Sequence, residues 1–121
     1  MHLHLDDVSP RERAIWDRYL NVVESAGPSE MVVTKSRIAF RAAHRIFTGG
    51  FFKSGRFELF FDLPEPVRQE DRDERFRQVW QQGKRLWVHR LKIEDAAQLD
   101  RKLARWLSDS HSAYSKRPDE R

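Results

Sequence analysis

The residues best suited to chemistry in this sequence are basic side chains in two segments that contain no acid. Residues 31–57 and 75–93 together hold 12 of the 23 lysines and arginines, whereas all 19 acidic residues lie outside them. Such segregation predicts a surface with one basic part, which attracts polyanions. Lysine neutralises phosphate as a point charge, and arginine does so with two parallel hydrogen bonds. The candidate phosphate contacts are Lys35, Arg37, Arg41, Arg45 and Arg90.

Aromatic side chains concentrate in the same two segments. Eight of the 14 phenylalanines, tryptophans and tyrosines lie there. Proteins that bind single-stranded nucleic acid stack bases on such rings beside basic side chains, so Trp80 and Trp87 are the candidate stacking residues. The alternative is that the rings form the core beneath the helices, while the basic side chains are solvated on the opposite face of the sheet.

Two further polar positions invite a function and also have a structural interpretation. Lys35 and Arg37 lie in a Thr-Lys-Ser-Arg sequence that could hold an anion, or that could form a tight turn in which hydroxyls bond to the backbone. His89 alternates with Trp87 and Leu91 and is expected to point toward the apolar side. A buried histidine of this kind is a neutral hydrogen-bonded group or, alternatively, a base, ligand or switch.

Recognisable catalytic patterns are missing from the sequence. Cysteine is absent, which excludes thiolate catalysis and thiolate zinc sites. There is no phosphate loop, dinucleotide fingerprint, nucleophile elbow or metal-binding helix pair. Glu58 and Asp62 with Lys53 suggest a nuclease core, but leucine and phenylalanine follow Glu58 where lysine is needed, and Glu58 has no obvious partner. We therefore expect no catalytic residues, no metal and no cofactor.

Two capping signals predict a helix near each end of the chain. Ser9 and Glu12 form a capping box before an amphipathic segment, and Asp95 and Gln98 repeat that pattern. The predicted helices span residues 10–26 and run from the Asp95 cap to about residue 113.

Between the helices the apolar pattern changes to a period of two, which predicts strands. They are placed near residues 31–35, 37–43, 45–48 with 51–53, and 56–62, followed by a hairpin of residues 76–81 and 86–93. The predicted turns are Gly49–Gly50, Ser54–Gly55 and Gln82–Gly83, because glycine adopts turn conformations readily. Residues 63–74 are expected to form a polar loop or a short frayed helix.

This order of elements predicts an α+β fold in two layers. We expect an antiparallel sheet of about five or six strands, covered on one face by the N-terminal and C-terminal helices. The connections are too short for parallel crossovers. Alternation places Ile38 and Phe40 on the covered side and Arg37 and Arg41 on the more open side. The domain is expected to span residues 9–114, between a flexible N-terminus (1–8) and a flexible tail (115–121).

A set of short motifs in this order resembles a known family. They are Gly27-Pro28, Thr34 to Phe40, Arg75-Phe76-Arg77, His89, Leu91, and a last helix from Leu99-Asp100 through Trp106-Leu107 to Ala113-Tyr114. Over roughly residues 11–114 the sequence resembles the bacterial domain of unknown function 5655 family. The resemblance implies a small cytoplasmic α+β domain and carries no established activity.

The sequence thus predicts a non-enzymatic binding domain that contacts nucleic acid or another polyanion through a basic, aromatic-rich sheet face. Two alternatives remain open. One is a protein interaction or homo-oligomerisation domain, which pairs through an exposed strand edge or aromatic patch. The other is a pocket between sheet and helices where Lys35, Arg37 and His89 converge on a small anionic ligand. No apolar run approaches the roughly 20 residues that cross a bilayer, so we expect no membrane contact and a cytoplasmic location.

Overall fold

The computed structural model describes residues 9–115 and shows the predicted α+β fold. Residues 1–8 and 116–121, which include most of the predicted flexible ends, lie outside the described residues. Two α-helices and six strands make up the domain. They are α1 (Pro10–Ala26), β1 (Glu30–Val33), β2 (Ile38–Arg41), β3 (Ile46–Lys53), β4 (Arg56–Leu63), β5 (Phe76–Gly83), β6 (Leu86–Ile93) and α2 (Arg101–Ser115), with 3₁₀ turns at Gln69–Asp71 and Ala96–Gln98.

Both capping boxes form, but only the first begins an α-helix. The Glu12 backbone N–H donates to Ser9 Oγ at 3.1 Å, and the Ser9 N–H donates to Glu12 Oε1 at 2.9 Å. The box at Asp95 and Gln98 caps a 3₁₀ turn instead. Helix α2 follows, and Asp100 Oδ1 accepts the Leu103 N–H at 3.0 Å at its start. The second helix therefore begins later than its sequence signal indicates.

The sheet is antiparallel throughout, in the order β1-β2-β3-β4-β6-β5. Helices α1 and α2 contact each other and cover one face of it. The core beneath them takes alternate residues from the central strands, as expected for a half-covered sheet. It includes Ile15, Tyr19, Ile38, Phe40, Phe57, Leu59, Phe61, Leu91, Leu103 and Leu107.

The predicted Gly49–Gly50 turn is wrong, because both glycines lie inside the unbroken strand β3. Gly49 pairs with Ala39 on one side and with Phe60 on the other. A Cβ at Gly49 would approach Phe60 Cε1 at 2.7 Å, so the missing side chain is what makes room for the ring. The Ser54–Gly55 turn is confirmed, and both residues have positive φ.

The tip of the last hairpin lies two residues beyond its predicted position. Strand β5 continues through Gly83, and Lys84 and Arg85 form the turn, with Arg85 at a φ of 66°. Within residues 9–115, no helix is long and apolar enough to cross a membrane.

Candidate ligand-binding site on the open sheet face

The sheet face turned away from both helices, called the open face below, carries polar and aromatic side chains in ordered rows. On β4 the residues of this face are Arg56, Glu58, Phe60 and Asp62, which alternate with the core residues of the same strand. Strand pairing extends them sideways into three rows about 7 Å apart. The rows are Trp80–Val88–Asp62, Gln78–Arg90–Phe60, and Lys92–Glu58–Phe51.

A cleft of about 300 Å³ lies over these rows. It combines guanidinium groups, aromatic rings and two carboxyl groups, and these residues come from β3, β4, β5 and β6 and from the segments before β2 and β3. Its lining includes Arg37, Arg45, Phe51, Glu58, Phe60, Asp62, Trp80, Val88 and Arg90.

Asp62 is the unusual polar group of the cleft. It is 7% exposed, and its Oδ1 atom has no hydrogen-bond partner among the described residues. Burial raises the pKa of Asp62 to about 7, against the opposing charges of Arg45 and Arg37. A buried carboxyl oxygen without a partner is costly. The site is therefore suited to a ligand that offers Asp62 a hydrogen-bond donor.

Glu58 is also buried, at 3% exposure, but arginines surround it. Arg56 Nε donates to Oε2 at 2.6 Å, and Arg77 Nε lies 2.8 Å from Oε1 as an ion pair, off the line of a hydrogen bond. Arg90 Nε lies 3.6 Å from Oε1. Burial acts to raise the pKa of Glu58, but the hydrogen bond from Arg56 and the charge of Arg77 outweigh it, so the pKa lies below its usual value.

Arg56, Arg77 and Arg90, called the arginine trio below, keep their Nη atoms available for hydrogen bonds. The shortest contact of each with Glu58 is made by Nε, and none of their Nη atoms has a hydrogen bond within residues 9–115. A second recess of about 300 Å³ lies against the trio, with Lys53, Glu58 and Gln78 also in its lining. Three guanidinium groups around one carboxylate leave an excess of positive charge that can bind an anion.

The aromatic rings of the cleft differ in their partners. Arg37 lies over the Phe60 ring at 5.0 Å, and Arg90 lies over the Phe51 ring at 5.7 Å. These cation–π contacts hold the guanidinium groups beside the cleft. Trp80 has no ring or cation partner in the described part of the chain. Its half-buried indole is thus available to a planar ligand.

The structure brings together four of the predicted site residues and separates the others. Arg37, Arg45, Arg90 and Trp80 all line the cleft. Arg45 also lies over the Tyr114 ring, at 5.1 Å. Lys35 is exposed in the turn between β1 and β2, and Arg41 is paired with Glu30 at 3.6 Å; neither lines the cleft.

Trp87 and His89 belong to the other face of the sheet. Trp87 pairs with Leu63 and His89 pairs with Phe61, whose side chains contact the core. The His89 ring is fully buried, stacks on Phe61 at 4.7 Å, and accepts the Val67 N–H on Nε2 at 2.9 Å. Burial lowers the pKa of His89 to about 4. His89 therefore anchors the loop before β5 as a neutral ring and does not converge with Lys35 and Arg37.

The charge segregation seen in the sequence is partly undone in space. Six of the 12 basic residues of the two acid-free segments form ion pairs with acids from elsewhere in the chain. These are Arg41, Arg56, Arg75, Arg77, Arg90 and Lys92. Arg75 is the most buried of them and is held between Asp73 and Asp100.

Sequence reasoning missed the roles of Glu58 and Asp62. The available signal was alternation, because Glu58 and Asp62 alternate with Phe57, Leu59, Phe61 and Leu63 along the strand and must face away from the core. No group of three or more histidines and acids in residues 9–115 is arranged to hold a metal ion.

Comparisons with known proteins assign no relative. No family model, curated protein or solved structure matches the chain. The family resemblance drawn from the motifs stays a prediction.

Proposed function

We propose that this protein is a binding domain for a small anionic ligand with a planar, aromatic part, and that the ligand occupies the open-face cleft. The observation that carries the proposal is the buried, unpartnered Asp62 oxygen in a concave site that also holds arginines and an available indole. An apolar cleft with a few convergent polar groups and a titratable group of shifted pKa is the usual form of a ligand site. The volume of about 300 Å³ suits a small molecule.

The distribution of charge favours a small ligand over an extended polyanion. Half of the basic residues in the two acid-free segments are already paired with acids. Of the others, Lys35, Lys53 and the Lys84–Arg85 pair lie at or beside three different turns. Arg37 and Arg45 remain, and both line the cleft. The unpaired positive charge of these segments is therefore divided between the cleft and three separate turns, and it does not form a continuous track for a phosphate backbone.

The two buried carboxyl groups support binding and not acid–base catalysis as a pair. Glu58 and Asp62 are four residues apart on one strand, a separation of about 13 Å. Paired carboxyl groups that share one reaction centre, as in glycosidases, lie within about 10 Å of each other. Glu58 is also held ionised by its arginines, which suits a structural anchor.

A ligand panel tests the proposal. The purified chain is screened by thermal shift and then calorimetry against nucleoside monophosphates, aromatic carboxylates and aliphatic dicarboxylates. We expect aromatic anions to raise the melting temperature, since a ligand at about 100 times its Kd adds about 2.7 kcal/mol. The variant Arg37→Gln removes a cleft charge, and Arg105→Gln removes an exposed charge on α2.

The two variants separate site binding from general attraction. Binding should weaken in Arg37→Gln and stay unchanged in Arg105→Gln. If no aromatic anion binds, or if both variants bind as the unmodified chain does, the cleft is not the ligand site.

A further inference from the structure

The open face holds two adjacent recesses of different chemistry. The cleft offers Phe51, Phe60, Trp80 and Val88 together with the Asp62 carboxyl. The neighbouring recess is lined by charged and polar side chains alone, those of Lys53, Glu58, Gln78 and the arginine trio. Glu58 and Arg90 belong to both, so the two recesses lie side by side. A ligand that fills both must have an apolar planar part and a strongly anionic part.

The arginine trio has the form of a phosphate site. Glu58 lies closest to the Nε atom of each of the three guanidinium groups, while the Nη atoms have no hydrogen bond within residues 9–115. Their side chains are 28%, 38% and 38% exposed for Arg56, Arg77 and Arg90, so a solute can reach them. Lys53 adds a further exposed ammonium group. Guanidinium forks bind phosphate with paired hydrogen bonds, and a dianion exploits several of them together.

The other end of the face suits a nitrogen base. Trp80, Val88 and Asp62 form one cross-strand row, so a planar ring against the indole and the valine would present its edge to the carboxyl. Asp62 Oδ1 lacks a donor, and the ring N–H and exocyclic amino groups of nucleobases are donors. The row of Glu58 lies about 13 Å from this row along β4, a span that an extended nucleoside phosphate covers.

We infer that the ligand is a nucleoside phosphate, with its phosphate on the arginine trio and its base against Trp80, edge toward Asp62. This inference rests on the proposed function and adds the substrate class. The rows fix the direction of the ligand, because the Gln78–Arg90–Phe60 row separates the Asp62 row from the Glu58 row. Exchanging the ends would place the phosphate beside a buried carboxyl and the base beside three cations.

Calorimetry with matched probes tests the inference. The full chain is titrated with AMP, GMP, adenosine, guanosine, inorganic phosphate and benzoate. We expect a monophosphate to bind at least about tenfold more tightly than its nucleoside, as charged hydrogen bonds provide. Arg77→Gln and Lys53→Gln should each reduce that preference and leave nucleoside binding unchanged. Lys53 has no ion pair within residues 9–115, so Lys53→Gln keeps the test valid if Arg77→Gln does not fold.

A second pair of variants tests the base end. Asp62→Ala should weaken AMP and adenosine by a similar factor, about tenfold, because it removes the acceptor for the base. Arg105→Gln is the control and should alter neither ligand.

The outcomes distinguish this inference from the proposed function. Equal affinity for AMP and adenosine would overturn the phosphate site and leave the cleft as a ligand site. Binding of benzoate without any nucleotide would likewise overturn the nucleotide and keep the proposed function. Phosphate binding to which the nucleoside adds nothing would overturn both the nucleotide and the aromatic part of the proposed ligand. Failure of every probe would overturn both.

Discussion

Glu58 and Asp62 lie on the same face of one strand, yet their pKa values are shifted in opposite directions. Burial opposes ionisation in both. Three arginines contact Glu58, and Arg56 and Arg77 favour its charged form, whereas no cation contacts the Asp62 carboxylate within ion-pair distance in the described residues. The partner, and not burial alone, therefore decides the charge of each residue. We therefore expect the free energy of unfolding and the ligand affinity to depend on pH through Asp62.

Replacing Asp62 with asparagine should change the pH dependence of stability. In the folded protein the pKa of Asp62 is raised to about 7 from 3.8, so between these values the folded state keeps a proton that the unfolded state has lost. Stability due to this group is present below about pH 4 and falls as pH rises toward 7. We expect Asp62→Asn to remove up to about 4 kcal/mol of that fall. Urea unfolding from pH 4 to pH 8 measures it, with the exposed Asp109→Asn as control.

His89 should contribute the opposite slope. Burial lowers its pKa to about 4 from 6.5, so the unfolded state binds the extra proton between these values, and stability is lost as pH falls through them. His89→Phe should remove this loss and also leave the buried Val67 N–H without an acceptor, at a cost of about 1–3 kcal/mol. The exposed His44→Gln should do neither. An unaltered acid slope in the His89 variant would contradict the assignment.

At the scale of elements, local signals were reliable where the cause is local. The Ser9–Glu12 box and the glycine after Ala26 predicted both ends of α1. The Gly49–Gly50 pair was misread because its cause is tertiary: the two residues make room for rings on the neighbouring strand. Strand alternation likewise predicted which face of the sheet Arg37 and Ile38 occupy. Alternation in a single sequence does not show which arginine forms an ion pair with which acid.

Gly49 should be intolerant of even a methyl group. A Cβ there would lie 2.7 Å from Phe60 Cε1 and 2.6 Å from the Ile38 carbonyl oxygen, so either strand spacing or the ring must shift. We expect Gly49→Ala to cost about 1–3 kcal/mol, as overpacking does. Gly83→Ala is the matched control, because its Cβ would meet Leu86 Cβ at an ordinary 3.6 Å. Urea denaturation of both variants should separate them; equal stabilities would show that the Phe60 ring is not confined.

The whole molecule explains why the site was predicted only in part. Trp80 and Arg90 were identified as site residues from composition. Trp87 and His89 are two residues apart on one strand, so alternation alone would have placed both on the face covered by the helices. The acids that pair with the basic segments lie outside those segments. Some are close neighbours in sequence, as Glu58 is of Arg56, and others are distant, as Asp100 is from Arg75. Charge segregation along a chain therefore overstates segregation on its surface, since folding brings opposite charges together.

The same reasoning predicts weak binding of long nucleic acid. With no continuous basic track, an oligonucleotide can engage only the cleft and the trio, so a poly-thymidine 20-mer should bind with a shallow salt dependence, a log–log slope smaller in magnitude than about 2, set by few phosphates. Fluorescence anisotropy at several salt concentrations measures that slope. Saturating AMP should displace the 20-mer, and Lys53→Gln should weaken both ligands together, because both use the trio's recess. A steep slope, or binding that persists beside saturating AMP, would instead establish an extended polyanion surface away from the cleft.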